Sequence, residues 1–214
     1  GAGPAEGANS HIVAEFGLKL ITTFLKRERF DKKDPAVLGM LDPYVSLTCG
    51  LLKNTKYNTV LVLSLRCLCM LFGYRLPALD VQAKTMTERL LAILQRSRVL
   101  TGEVPQACFK AFTLVFRDLK KFDVAEKQLK VLLSLVAQDI EEPDASSCTF
   151  ACLKAIVGRK VMLPAIYDLV QRVAEIMVQC HSPNVQQLCS QIFLQFLLDY
   201  PPRRNACSST STSS

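Results

Sequence analysis

The stretch Gln106–Arg117, Q-A-C-F-K-A-F-T-L-V-F-R, reads as one buried helix, and its layout recurs along the chain. Cys108 and Ala111 are small and three residues apart, so they allow a neighbouring backbone to come close, while Phe112, Val115 and Phe116 behind them fill space. Superposing Arg66, Lys110, Lys154 and Gln191 aligns Ser64, Cys108, Cys152 and Cys189 at the small position. Leu68, Phe112, Ile156 and Phe193 then coincide at the large one. A chain that repeats one helix face must bury it by stacking the units, which makes the expected body all-α.

The spacings between these positions are 44, 44 and 37 residues, within or just short of the roughly 40–47 residues of HEAT and armadillo units. The expected architecture is therefore an α-solenoid of HEAT/armadillo-like helix pairs. Long alternating runs between paired turn residues, which would mark strands, are missing.

Read in order, residues 1–9 are small and flexible, and Ser10 caps a helix to about Phe30 with the stripe Ile12, Val13, Phe16, Leu20, Phe24 and Leu25. This helix belongs to a pair whose partner is missing. The connector K-R-E-R-F-D-K-K-D, residues 26–34, carries five cations and three anions and reads as a solvated helix end. Asp42-Pro43 signals a helix start running to about Lys53, with Tyr57–Phe72 as its partner, stopped by Gly73.

The second pair is about Asp80–Arg96, with Ala83, Met86, Leu90, Ile93 and Leu94 inward, followed by the organising helix to about Lys121. Asp123 and Glu126 have the spacing of a capping box ahead of the stripe Leu129, Leu132, Leu133, Val136 and Ile140. Glu142-Pro143 breaks that helix, Ser146–Val157 returns, and Gly158 closes the third pair. Pro164 opens the fourth, with Ile166, Leu169, Val170, Val173 and Met177 inward. Ser182-Pro183 starts its partner, and Pro201-Pro202 ends it. The domain reading is thus a flexible segment 1–9, a helical-repeat domain 10–202 and a disordered Ser/Thr-rich tail 203–214.

At 214 residues with 50% hydrophobic content, the chain can bury a substantial core. The longest apolar run, Val60–Phe72, is 13 residues long and contains Arg66, whereas spanning a bilayer needs about 20, so no membrane partner is expected. Gly1 in place of Met and the lack of a targeting segment read as a fragment or processed chain. Nine cysteines lie scattered, eight of them in apolar helical patterns, which points to a reducing compartment.

The pairs Cys67–Cys69 and Cys148–Cys152 lack metal-knuckle spacing and have no histidine nearby, so they read as small packing residues and no metal is expected. His11 and His181 have no nucleophile or orienting carboxylate motif around them, and no glycine-rich phosphate loop is present. The chain therefore reads as non-enzymatic, with no catalytic residue, cofactor or small-molecule substrate. A net charge of +7 favours polyanions. Lys110, Arg117, Lys120 and Lys121 attend one helix and its exit, and Arg159-Lys160 occupies the equivalent exit one unit later. These six are the candidate RNA or partner contacts, a stripe able to follow a phosphate backbone.

At Met40-Leu-Asp-Pro-Tyr-Val, Q-A-C-F-K-A-F-T-L-V-F-R-D-L-K, E-K-Q-L-K-V-L-L and F-L-Q-F-L-L-D-Y-P, the chain resembles the family of small-subunit processome component 20 homologues, also called down-regulated-in-metastasis proteins. The likeness runs from about Ser10 to Pro201. The resemblance implies a piece of a very long nucleolar helical-repeat scaffold associated with the U3 small nucleolar ribonucleoprotein and required for the processing that yields 18S RNA. Its implied partners are pre-ribosomal assembly factors and pre-ribosomal RNA or U3 RNA. The serine-rich ending and the lack of the Val-Arg pair of many HEAT units, replaced by Cys148-Thr149 and Val185-Gln186, depart from the pattern. The rival reading is a helical-repeat transport receptor or adaptor that binds peptides in its concave groove.

Overall fold

Prolines open most of the helices. The computed structural model of the chain describes residues 4–27, 30–141 and 147–202. The helices are α1 (Pro4–Arg27), α2 (Pro35–Asn54), α3 (Asn58–Leu71), α4 (Pro77–Arg96), α5 (Glu103–Asp118), α6 (Glu126–Ile140), α7 (Ser147–Val157), α8 (Pro164–Gln179) and α9 (Pro183–Asp199). A proline has no N–H to leave unpaired in the first turn and its φ is already helical, so Pro35, Pro77, Pro164 and Pro183 each begin a helix at little cost. No strand occurs among the described residues.

The helices form two layers. The odd helices lie side by side in the order α1, α3, α5, α7, α9, and the even helices α2, α4, α6, α8 form the second layer. Each even helix also packs on the odd helix that follows it. This is the all-α solenoid of four helix pairs with a leading helix.

The recurring small position lies where the odd helices meet. Ser64, Cys108, Cys152 and Cys189 are all fully buried, as are the inward residues expected on α4 and α6. Phe109, Phe112 and Phe150 are the bulkiest side chains sealed in the core. Small residues admit the neighbouring backbone while the phenylalanines occupy the space between turns.

Several starts differ from the sequence expectation. Helix α1 begins at Pro4, not after a Ser10 cap, because a first-turn proline followed by Ala5 and Glu6 already favours helix. Most of its expected stripe faces outward: Ile12, Val13, Phe16, Leu20 and Phe24 are exposed, and only Leu25 of the stripe is buried, with Leu18 and Thr22, in the layer that α1 shares with α3. Val13, Leu20 and Phe24 of that stripe join Met40, Tyr44, Leu47 and Leu51 of α2 along an apolar groove of about 600 Å³.

Asp42-Pro43 is not a helix start. Helix α2 begins at Pro35 with Asp34 as its cap, whose carboxylate accepts from the Ala36 N–H, and Pro43 lies inside the helix. Pro43 is exposed and the residue four positions earlier is Gly39, also exposed. Asp42 is still a cap, but for another helix: its carboxylate accepts from the Ala78 N–H at 2.8 Å, in the first turn of α4, whose own N-cap Leu76 has no capping side chain. Carried through Pro43, α2 becomes 20 residues long and, by length and composition, apolar enough to cross a bilayer, which the shorter expected helix was not. In the fold it packs on α3 and α4.

Helix α4 starts at Pro77, three residues before the expected Asp80. Asp123 and Glu126 form no capping box: Ala125 holds the cap position of α6 without a side-chain bond, and Asp123 instead accepts from Arg159. Gly158 closes α7 as expected, since that helix ends at Val157, while α3 ends at Leu71, two residues before Gly73. The left-handed conformation falls two residues after each glycine, at Arg75 (φ 50°) and Lys160 (φ 57°). The expected break at Glu142-Pro143 and the tail 203–214 lie outside the described residues.

Candidate nucleic-acid interface

The layer order puts the connectors on two edges. Links from an odd helix to the next even helix, including 119–125 and 158–163, share one edge, and links from an even helix to its odd partner share the other. Five of the six candidate cations belong to the first edge, and the sixth, Lys110, projects from the middle of α5.

The structure divides these six by what they touch. Arg159 is largely enclosed, its side chain 15% exposed, and acts as a clamp on the end of α5. Its guanidinium donates to the carbonyls of Leu119 at 3.0 Å and Phe122 at 2.6 Å, reaches Phe116 at 3.4 Å and pairs with Asp123 at 2.9 Å. A helix C-terminus leaves carbonyls without intrahelical donors, and a planar fork of N–H groups from the next repeat is suited to take them.

Lys160 pairs with Asp199 at 2.8 Å, tying the α7 exit to the end of α9. That hydrogen bond, with a second from Gln195, holds the Asp199 carboxyl below the usual carboxylate range. Arg117 forms a two-pronged pair with Asp118 at 2.7 and 2.9 Å, which raises the guanidinium above its ordinary value. Lys110, Lys120 and Lys121 are exposed and have no ion-pair partner among the described residues.

The repeat alignment has a direct physical counterpart. Lys154 Nζ donates to Gln191 Oε1 at 2.6 Å, so residues equivalent in sequence are neighbours on adjacent odd helices. Arg66, Lys110 and Lys154 accordingly form exposed rungs on α3, α5 and α7.

The cysteines show the chemistry of a packed interior. Burial pushes the Cys67 thiol up to about 12 and those of Cys49, Cys69 and Cys189 to about 11, with Cys108 and Cys152 raised still further. Protonated thiols are poor nucleophiles and poor metal ligands. Among the described residues, no group of three histidine, cysteine or carboxylate side chains comes together in a way that could hold a metal ion. His11 stacks on Tyr57 with ring centroids 3.9 Å apart, and His181 lies exposed between α8 and α9.

The chain is 30% identical over 144 residues to the U3 small nucleolar RNA-associated protein 20 of Schizosaccharomyces pombe, a match covering 66% of this chain and 6% of that protein. It is 29% identical over 117 residues to the Saccharomyces cerevisiae protein of the same name, covering 55% of this chain and 5% of that protein. The chain thus spans a small fraction of either relative's length. No protein-family model matches it. Through these two matches the chain, a two-layer stack of helix pairs, is similar to a short stretch of the U3 small nucleolar RNA-associated protein 20 of both organisms.

Proposed function

We propose that the chain works as a non-enzymatic helical-repeat scaffold of the small-subunit processome, in the nucleolus, supporting the U3-dependent processing of pre-ribosomal RNA towards 18S RNA. The observation that carries this reading is the similarity to two proteins whose names associate them with U3 small nucleolar RNA. A stack of helix pairs supports it physically, because such a stack presents long edges on which several molecules can be held in fixed register. The partners are assembly factors and pre-ribosomal or U3 RNA. Of the candidate contacts, exposed Lys110 is offered to the RNA and exposed Lys120 and Lys121 to the assembly factors, while Arg159 and Lys160 tie the exit edge to its neighbours and Arg117 is taken up by Asp118.

Affinity capture through a tag on the chain is expected to recover U3 RNA and to place the chain with pre-ribosomal particles on a density gradient. Depletion is expected to lower 18S RNA relative to the large-subunit RNAs. A chain that sediments away from those particles, and whose loss leaves 18S RNA unchanged, would overturn the proposal.

A further inference from the structure

The edge opposite the five exit-edge cations holds a different cluster. Lys56 lies in the link from α2 to α3, Arg96 at the end of α4 and Arg98 in the link from α4 to α5. Stacking of the two repeats brings Lys56 together with Arg96 and Arg98, about 40 residues further along the sequence, at one open cleft of about 910 Å³, with Lys19 of α1 and Arg66 of α3 on its walls. Glu103 is the one carboxylate lining the cleft, and it is paired with Arg66 at 2.6 Å. Lys19 is paired with Glu15. Lys56, Arg96 and Arg98 are exposed and have no ion-pair partner among the described residues.

We propose that this cleft is a binding site for the phosphate backbone of RNA. The exit edge pairs three of its five cations with Asp118, Asp123 and Asp199 and leaves Lys120 and Lys121 on its open surface, whereas the cleft gathers three unpaired cations in one concavity. Such a surface attracts a polyanion and releases that polyanion's counterions on contact. Continuity favours RNA over an acidic peptide. From Arg66 in the cleft wall the cations continue along the odd layer through Lys110 and Lys154, one per repeat. Neighbouring helices lie about 8–10 Å apart, so the result is an extended track with regularly spaced charge.

The lining also specifies how the RNA is held. Among the described residues no aromatic side chain and no histidine lines the cleft, so it offers unpaired bases no aromatic platform, and its donors are ammonium and guanidinium groups suited to phosphate oxygens. Contact is therefore through phosphates, independent of sequence, and suits a helical RNA whose bases are already stacked. This inference rests on charge placement and holds whether or not the chain acts in ribosome assembly.

The test measures binding of a 20-base-pair RNA duplex of arbitrary sequence to the 214-residue chain across a salt series. A Lys56→Ala/Arg96→Ala/Arg98→Ala variant is compared with a Lys120→Ala/Lys121→Ala variant of the opposite edge. All five side chains are exposed, so both variants are expected to keep the parent's circular dichroism and melting temperature. The cleft variant is expected to reduce the salt slope by about 2 to 3 and to bind on the order of a hundredfold more weakly at 0.1 M salt. The opposite-edge variant should change little. Equal losses in the two variants, a larger loss in the opposite-edge variant, or unchanged binding by the cleft variant would each overturn the proposal. A polyglutamate peptide that binds the parent more tightly than the duplex, with the same loss in the cleft variant, would overturn it in favour of an acidic protein partner.

Discussion

Removing the Arg159 guanidinium tests whether a cation on the candidate stripe is architectural. In an Arg159→Ala variant, the Leu119 carbonyl loses its charged donor at 3.0 Å and keeps the Phe122 N–H at 3.1 Å, the Phe122 carbonyl loses its donor at 2.6 Å, and the 3.4 Å approach to Phe116 counts for little. Two charged hydrogen bonds at about 1.5 kcal/mol each give a loss of about 3 kcal/mol. The pair with Asp123, which is 93% exposed, adds at most a few tenths of a kcal/mol. Arg159→Lys keeps the charge but has one compact donor in place of a planar fork, so about half of that loss is expected.

Urea unfolding followed by circular dichroism reads the effect directly. With a slope of about 2–3 kcal/mol per molar urea, the midpoint of Arg159→Ala should fall by roughly 1 M at unchanged slope. Lys120→Ala, an exposed neighbour, should stay within about 0.5 kcal/mol of the parent. A midpoint for Arg159→Ala equal to that of Lys120→Ala would refute the clamp and return Arg159 to the free surface.

Four further outcomes follow from the packing. Asp42→Ala should lower stability by about 1 kcal/mol in the same urea assay, with Asp42→Asn close to the parent, because the amide oxygen can still cap α4. Ser64 is fully buried and its hydroxyl has no hydrogen-bond partner among the described residues. Replacing it with the cysteine found at the equivalent position of the other repeats should therefore raise stability by about 1 kcal/mol, and a loss of that size would count against the burial argument. The buried thiols bind their protons more tightly in the folded than in the unfolded chain. Stability should thus be full below about pH 8.5 and fall as pH rises towards 11–12, by up to about 1.4 kcal/mol per thiol per pH unit; a flat profile to pH 11 would contradict this. Finally, sedimentation of the chain should show concentration-dependent self-association through its exposed apolar stripes, reduced by Phe16→Glu with Leu20→Glu at little cost in stability.

The four helix pairs were legible because burial on several sides imposes a strong period. Leu129, Leu132, Leu133, Val136 and Ile140 of α6 are buried as the spacing implied. The outward face of α1 was not legible, since periodicity identifies a stripe without saying which neighbour covers it. The starts of α2 and α4 were misread for a related reason: the carboxylate of Asp42 serves the helix that begins at Pro77, a link between repeats that a local capping rule cannot contain. The exit cations were visible as a run in sequence, but the carbonyls and carboxylates that engage Arg159 and Lys160 come from other helices and connectors. The cluster of Lys56, Arg96 and Arg98 was hidden altogether, because only the stacking of two connectors makes those residues neighbours.

The buried column of Ser64, Cys108, Cys152 and Cys189 also bears on how the body deforms. It holds the odd helices in close apposition, while α4, α6 and α8 meet one another more sparsely. Under load such a body should behave like a fan, fixed along its ribbed side and compliant along the other. Bending opens or closes the even layer from α4 onwards, since α2 and α4 are closely packed, and leaves the spacing of the odd helices nearly constant, so the rungs Arg66, Lys110 and Lys154 keep their pitch while α6 and α8 shift.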